Sequence, residues 1–294
     1  MVSIMHKFNM SIGLTFFSLM TAVSCYATEQ IKWYLPHVPP CYITQGKDKG
    51  TGHCDKMQKT VIDSMPEYDH KIVISNYKRM LVALENENNA CSSALFKVPA
   101  RESFLIYSKA AFIGLSSAIV TSARQVEHLY SYISQNQLLN LKKLLSKEKE
   151  IRIGVMKGRS FGPDIEPIIA PHRNTPVIVE RSGSDSVGLI KMMYANRLDM
   201  ILGIPLEATY TAQQMQLPPE SIVILPLQGI KNYNILYMAC SKNKQGEAVI
   251  NKLNQIILRD RLKFIEFYKE WMDDNSARMY DSIVKGVFEQ ADVE

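Results

Sequence analysis

Short apolar segments typical of strands alternate with amphipathic segments typical of helices in two parts of this chain, 31–96 and 138–204. Such alternation predicts an α/β fold, with mostly parallel sheets and helices on both faces. The two parts are similar in size but are not a sequence repeat. The predicted strands are 31–35, 71–75, 91–96, 151–155, 177–180 and 200–204, and the predicted helices are 55–65, 77–87, 138–145, 165–169 and 185–195. Ser184 or Asp185 is the expected N-cap of the last helix.

Two apolar, β-rich segments are placed to connect these parts. Residues 112–122 lie between the two parts, and residues 233–241 follow the second part and could lead the chain back to the first. The tail, 248–271, has the apolar spacing of a helix. The chain therefore leaves its first part and comes back to it, which suits either one large domain or two lobes of ordinary size.

The first 27 residues have the pattern of a secretory signal. Lys7 is followed by an apolar segment at 10–23 and by small residues up to Ala27, so cleavage after Ala27 is predicted. Lipid attachment at Cys25 is the alternative, but the residues before it are a poor lipidation signal. We expect a mature protein beginning near Thr28 and located in the periplasm.

Four cysteines would remain in the mature chain, and four cysteines allow three pairings. Cys41 and Cys54 flank one glycine-rich loop, so their pairing is locally favoured, and it leaves Cys91 with Cys240. Zinc-binding spacing and CxxC motifs are absent, and His37 and His53, which we expect to be solvated loop residues, have no helical partner, so no metal or other cofactor is predicted. Buried free thiols remain an alternative.

The formal net charge of +5 is mild for a chain of 294 residues. Lysine and arginine are spread along the sequence among acidic residues. A nucleic-acid partner requires a clustered basic face, so this class of partner is excluded. A small-molecule ligand is compatible with the composition.

One arginine follows directly after a predicted buried strand. The strand ends at Phe96, a Lys-Val-Pro-Ala turn follows, and Arg101 comes next. Ligands of open α/β sheets bind beyond the carboxyl ends of strands, and a guanidinium there suits a carboxylate. The alternative is a surface arginine paired with Glu102.

Several short motifs, in this order, resemble one known family. They are Val38-Pro39-Pro40-Cys41-Tyr42, Arg101-Glu102, Tyr107-Ser108, Ile153 to Ser160, Asn196 to Asp199 and Tyr268-Lys269-Glu270-Trp271. The chain resembles periplasmic solute-binding proteins of the amino-acid-binding type, extracellular solute-binding family 3, and most of all a cysteine-bearing branch of it.

The resemblance implies a two-lobed periplasmic-binding-protein fold of type II, with the ligand held between the lobes. The first lobe would comprise 28–110 and 235–294, and the second 111–234. Cys91 and Cys240 would then be neighbours in the first sheet. A monomer is expected, with a membrane transporter or a membrane sensor as its partner.

The resemblance also implies a set of ligand-binding residues. Arg101 would hold a carboxylate, assisted by the backbone from Gly158 to Ser160, and Phe96 would stand at the adjacent strand end. Apart from the resemblance, the position of Arg159 in the turn Gly158 to Ser160 suits either a second anion ligand or a solvated loop residue. The rings of Tyr34, His37 and Tyr42 would line the first loop, with ordinary packing as the alternative.

The sequence departs from the family at the position that binds the ligand's amine. Ile204 stands where an acid is expected, and Glu207 lies nearby in a different register. An aliphatic side chain cannot neutralise a buried ammonium. We therefore expect a carboxylate-bearing or anionic ligand rather than an α-amino acid bound in the usual way.

No catalytic motif of the HExxH kind or of the Cys-His kind is evident in the sequence. A binding protein requires none and is the favoured interpretation. A lyase or dehydratase on the same two-lobed scaffold is the enzymatic alternative, and a ligand-sensing subunit that docks on a membrane receptor is the third.

Overall fold

The computed structural model describes residues 28–182 and 186–290. The strands are β1 (Gln30–Leu35), β2 (Asp69–Ile74), β3 (Ala90–Leu95), β4 (Leu105–Leu115), β5 (Ala118–Ser122), β6 (Ile153–Met156), β7 (Ile178–Arg181), β8 (Met200–Gly203), β9 (Ile222–Leu225) and β10 (Tyr233–Ser241). The helices are α1 (His53–Asp63), α2 (Tyr77–Asn86), α3 (Leu141–Lys147), α4 (Glu166–Ile169), α5 (Val187–Tyr194), α6 (Pro205–Gln214), α7 (Lys244–Lys269) and α8 (Asp274–Gln290). The predicted signal segment and the N-cap at Ser184 or Asp185 lie outside the described residues.

The strands form two five-stranded sheets, and the predicted two-lobed α/β fold is confirmed. The first has the order β2-β1-β3-β10-β4, with β10 antiparallel to both of its neighbours. The second has the order β7-β6-β8-β5-β9, with β5 antiparallel to both of its neighbours. The βα units supply the parallel strands of each sheet, as expected for short strand–helix–strand connections.

Each sheet carries apolar clusters that involve helices from different parts of its lobe. In the first lobe, Met57 of α1, Leu253 of α7 and Tyr280 of α8 share one cluster, whereas Met80 of α2 belongs to another. The second lobe also has two clusters. None of the helices within residues 28–182 and 186–290 combines the length and hydropathy that a membrane-spanning helix needs.

Two connections join the lobes. β4 pairs with β10 as far as Leu115 opposite Tyr233, and β5 begins the second sheet at Ala118. Residues 111–115 and 233–234 therefore pair in the first sheet, although the sequence-based boundaries assigned them to the second lobe. Ser116 donates its backbone N–H to the Asn232 carbonyl at 3.2 Å, which holds the two connections together.

Three elements were not predicted from the sequence. Strand β9 pairs with β5 at the edge of the second sheet, and α6 begins directly after β8 with Pro205 at its first position. Helix α8 lies against the first lobe, where the Tyr280 hydroxyl donates to the Ile113 carbonyl of β4. Tyr280 is fully buried, so α8 is an integral part of this lobe.

Both predicted disulfides are confirmed. Cys41–Cys54 closes the loop before α1, and Cys91–Cys240 joins β3 to β10, where these two residues are register partners. All four sulfurs are thus used within the first lobe. The nearby group of Cys41, His53 and Cys54 has the proximity of a metal site, but a disulfide offers no thiolate to a metal.

Candidate functional site

A cavity of about 70 Å³ lies between the two lobes. First-lobe residues reach it from the loop after β1, from the segment after β3 and from β4, β10 and α7. Second-lobe residues reach it from the turn after β6 and from the start of α6. The cavity is thus lined by the ends of strands β3 and β6, where α/β sheets bind their ligands.

Most of the residues singled out in the sequence line this cavity. They are Tyr42, Phe96, Arg101, Arg159, Ser160, Ile204 and Glu207. Tyr42 is fully buried, and its hydroxyl lies 2.5 Å from that of Ser93, which donates to the Gln58 side chain at 2.6 Å. This chain of hydrogen bonds fixes the Tyr42 ring against α1 and β3.

Three of the residues expected at the site do not line the cavity. The Tyr34 hydroxyl donates to the Glu87 carboxylate at 2.6 Å, and burial together with this carboxylate raises the pKa of Tyr34 to about 12. His37 accepts the backbone N–H of Thr44 at its Nδ1 atom, at 3.1 Å. Tyr34 and His37 therefore stabilise the first lobe and its loop.

Gly158, the third, packs against the opposite lobe. It has a φ of +80°, and a Cβ atom there would lie 3.4 Å from the backbone nitrogen of Lys78 in α2. Glycine suits this position because other residues adopt positive φ at a cost. The turn before Arg159 thus approaches the first lobe closely.

Arg101 lies on a single 3₁₀ turn, Pro99–Arg101, between β3 and β4. Arg101 lines the cavity, and burial lowers the pKa of its guanidinium. Within the part of the chain that the structure describes, no carboxylate forms an ion pair with it. A half-buried, unpaired guanidinium is a group that a carboxylate ligand would stabilise.

Arg159 and Glu207 form a buried ion pair within the second lobe. Nη1 of Arg159 lies 2.5 Å from Oε2 of Glu207, Nη2 contacts Oε1, and each side chain is 7% exposed. Burial disfavours the charged form, but the carboxylate outweighs it and raises the pKa of Arg159. Arg159 is thus neither solvated nor free, and Glu207 faces the cavity despite its unexpected register.

Arg159 also contacts the first lobe. Its guanidinium carbon lies 5.6 Å from the centre of the Tyr77 ring. Tyr77 is the first residue of α2 and also lines the cavity. A cation over an aromatic face is attracted to it. This contact joins the two lobes beside the cavity.

Several residues of the cavity wall were not singled out as ligand-binding residues in the sequence. They include His53, Tyr77, Phe112, Leu236 and Tyr268. Only Tyr268 belongs to a recognised motif, Tyr-Lys-Glu-Trp. The others lie in helix starts or crossing strands, where their residue types are also those of ordinary core positions.

His53 is the first residue of α1 and is buried rather than solvated. Its ring packs edge-on against Tyr268 at 4.9 Å and Phe112 at 5.9 Å between centroids. Burial lowers the pKa of His53 to about 3, against a smaller opposing effect of the Pro40 carbonyl. The imidazole is therefore neutral at neutral pH.

His53 is expected to make the folded protein less stable in acid. Its pKa is lower in the folded than in the unfolded chain, so only the unfolded chain takes up this proton as the pH falls below about 6.5. Between pH 7 and pH 5 the loss is about 2 kcal/mol of unfolding free energy. Urea unfolding of the wild type and of His53→Gln at both pH values measures it.

The difference between the two proteins isolates His53 because all other groups are common to both. Asp55, whose pKa is raised to about 6 by burial, acts in the opposite direction in each. We expect the variant to lose less stability than the wild type on acidification. Equal losses in the two proteins would contradict the assignment.

A two-lobed α/β chain with these two sheet orders, two connecting segments and a cavity between the lobes has the type II periplasmic-binding-protein fold. Solved structures with this fold match most of the chain. The arginine-binding protein ArgBP from T. maritima matches with a TM-score of 0.62 and 12% identity, over 83% of this chain and 95% of that one.

A substrate-binding protein of an amino acid ABC transporter matches with a TM-score of 0.60 and 13% identity, over 83% of this chain and 99% of that one. A histidine kinase sensor domain with similarity to periplasmic binding proteins matches with a TM-score of 0.63 and 11% identity, over 83% of this chain and 96% of that one. No family model and no curated protein matches the sequence. At these identities the structural matches establish the fold.

Proposed function

We propose that this protein binds a small carboxylate-bearing or anionic solute in the cleft between its lobes. The supporting observation is Arg101, which lines the cavity and whose guanidinium has no carboxylate partner among the described residues. A planar guanidinium binds a carboxylate through two parallel hydrogen bonds. Ser160, on the opposite lobe, lines the same cavity and offers a hydroxyl.

Ligand binding is coupled to closure of the lobes in this proposal. Arg101 belongs to the first lobe, whereas Ser160 and Ile204 belong to the second, so a bound solute contacts both lobes only when they are closed. A ligand shifts a conformational equilibrium by its difference in affinity for the two states. The solute therefore stabilises the closed form.

Replacing Arg101 by Ala is expected to weaken binding by about 2–4 kcal/mol, since it removes a charge-assisted, two-bonded contact from a half-buried site. Lys at this position is expected to restore only part of the affinity, because an ammonium cannot reproduce the planar fork. Native mass spectrometry of protein from its own host identifies the solute, and calorimetry then compares the variants.

Arg124→Ala is the matched control, because Arg124 is exposed and does not line the cavity. We expect this control to bind like the wild type. Equal affinities of the wild type and Arg101→Ala would show that Arg101 is not the anchor.

Delivery to a membrane transporter and signalling to a membrane receptor both fit this site, in a protein that we propose is periplasmic and monomeric. The structures of similar fold include a substrate-binding protein of an ABC transporter and a kinase sensor domain. Crosslinking of the ligand-loaded protein in its host identifies the partner. Chemical conversion of the bound solute by the purified protein would instead indicate an enzyme.

A further inference from the structure

The charged groups that line the interlobe cavity leave one positive charge without a partner. Among the described lining residues, Arg159 and Glu207 neutralise each other, and Arg101 has no counter-ion. His53 is neutral at neutral pH because burial lowers its pKa to about 3. Glu166 is an acid whose charge acts on Arg101 and raises its pKa slightly against the effect of burial. Both of its carboxylate oxygens accept from Arg173, at 3.2 and 3.0 Å.

Glu207 has no unpaired negative charge to offer a ligand cation, because the Arg159 guanidinium already neutralises it. Its Oε1 and Oε2 atoms each accept from Arg159, and Oε2 also accepts the hydroxyl of Ser186 at 3.4 Å. The guanidinium that holds it also faces the Tyr77 ring. The acid is therefore satisfied by the protein itself.

The rest of the cavity wall is mainly apolar. Aliphatic and aromatic side chains dominate the lining, among them Phe96, Phe112, Leu206 and Leu236. Apolar surface of this kind favours an apolar ligand body and offers no partner to a second charge.

We infer that the cleft selects a monocarboxylate with an uncharged, largely apolar body, and that the Arg159–Glu207 pair excludes solutes that carry an ammonium group. The inference rests on the proposed function and specifies its ligand class. The carboxylate meets Arg101, and the body occupies the apolar part of the cavity between β4 and the start of α6.

Both kinds of excluded solute fail for the same physical reason. An α-amino acid, L-arginine included, would bury a cation beside Arg159 with no unpaired carboxylate to accept it. A dicarboxylate would bury a second anion with no unpaired cation to bind it. An unpaired buried charge costs several kcal/mol, which corresponds to an affinity loss of about 100-fold or more.

The test uses pairs of solutes that share a carbon skeleton. Calorimetry on the wild-type protein compares 3-phenylpropanoate with L-phenylalanine and 4-methylpentanoate with L-leucine, with glutarate and L-arginine as further probes. We expect the monocarboxylate of each pair to bind about 100-fold more tightly than its amino acid. Glutarate and L-arginine are expected to bind as weakly as the amino acids.

The outcomes separate this inference from the proposed function. If an amino acid, L-arginine or glutarate binds as tightly as the monocarboxylates, and Arg101→Ala abolishes that binding, the ligand class is wrong while the proposed function stands. If none of these carboxylates binds, this inference fails, whereas the proposed function is still decided by the solute identified from the host and by its dependence on Arg101.

A second test removes the internal cation. Arg159→Met leaves the Glu207 carboxylate without its partner, so L-phenylalanine is expected to gain at least about 10-fold relative to 3-phenylpropanoate. The double variant Arg159→Met/Glu207→Leu has no acid there and is expected to show no such gain. An unchanged ratio in Arg159→Met would overturn the role given to the pair, and if this variant does not fold the wild-type comparison still decides.

Discussion

Replacing Glu207 by Leu is expected to lower the free energy of unfolding by about 3–5 kcal/mol. The substitution leaves the Arg159 guanidinium buried beside Tyr77 without a counter-ion, and its pKa is too high for it to lose its proton instead. Urea unfolding followed by circular dichroism at pH 7 measures the loss. The single variant Arg159→Met, which strands the carboxylate, is expected to be similarly unstable.

The double variant Arg159→Met/Glu207→Leu provides the control. Apolar side chains of similar volume replace both charges, so no ion remains buried, and such replacements are often neutral or stabilising. We expect the double variant to be close to the wild type in stability. If it is as unstable as the two single variants added together, the ion pair is not the origin of the effect.

Removing the Cys91–Cys240 disulfide by replacing both residues with Ala is expected to destabilise the protein by about 5 kcal/mol, because this link closes a very long loop in the unfolded chain. Its residues are 149 apart in sequence, whereas those of Cys41–Cys54 are 13 apart. The matched variant without Cys41–Cys54 is expected to lose about 3 kcal/mol.

Unfolding in guanidinium chloride without reductant compares the wild type with the two double-alanine variants. The order of stabilities is the informative result, since both variants remove one buried or nearly buried disulfide from the same lobe. A larger loss for the short-loop variant would contradict the loop-closure explanation and would point to local packing around Cys54 instead.

The βα alternation and the apolar crossing segments were predictable because they are local patterns. These patterns suited one large domain as well as two lobes, and the two-lobed fold was predicted from the family resemblance. The crossing segment 112–122 was placed correctly, but its break at Ser116–Ser117 was not predicted, since neither of these two residues is a glycine or a proline. Helix α8 was missed because the contact that holds it in place is distant in sequence. Its buried residue, Tyr280, makes its contact with Ile113, far away in sequence.

Glu207 shows how a register argument along one strand fails when the strand ends. Ile204 was compared with an acidic strand-end position, but Pro205 begins α6, and Glu207 is the third residue of that helix. Side chains at the N-cap and three residues later lie on the same side of a helix start. Ile204 and Glu207 therefore both reach the cavity, and the Ile-Pro-x-Glu pattern was the available signal.

The partner of Arg159 was not predictable from the sequence. Glu207 lies 48 residues away, and the two meet only because the turn after β6 and the start of α6 are neighbours in the folded sheet. Arg101, by contrast, was identified locally from its position after an apolar strand. Its lack of a partner became evident only from the folded structure.

The placement of β10 in the first sheet has a consequence for the order in which the chain is made. All strands of the second sheet lie within residues 118–225, whereas the first sheet requires β10 between β3 and β4. A ribosome releases the N-terminal part first. The second lobe, although encoded in the middle, thus has its full set of strands earlier than the first. The Cys91–Cys240 disulfide can form only after Cys240 has been made, whereas both cysteines of Cys41–Cys54 are present much earlier.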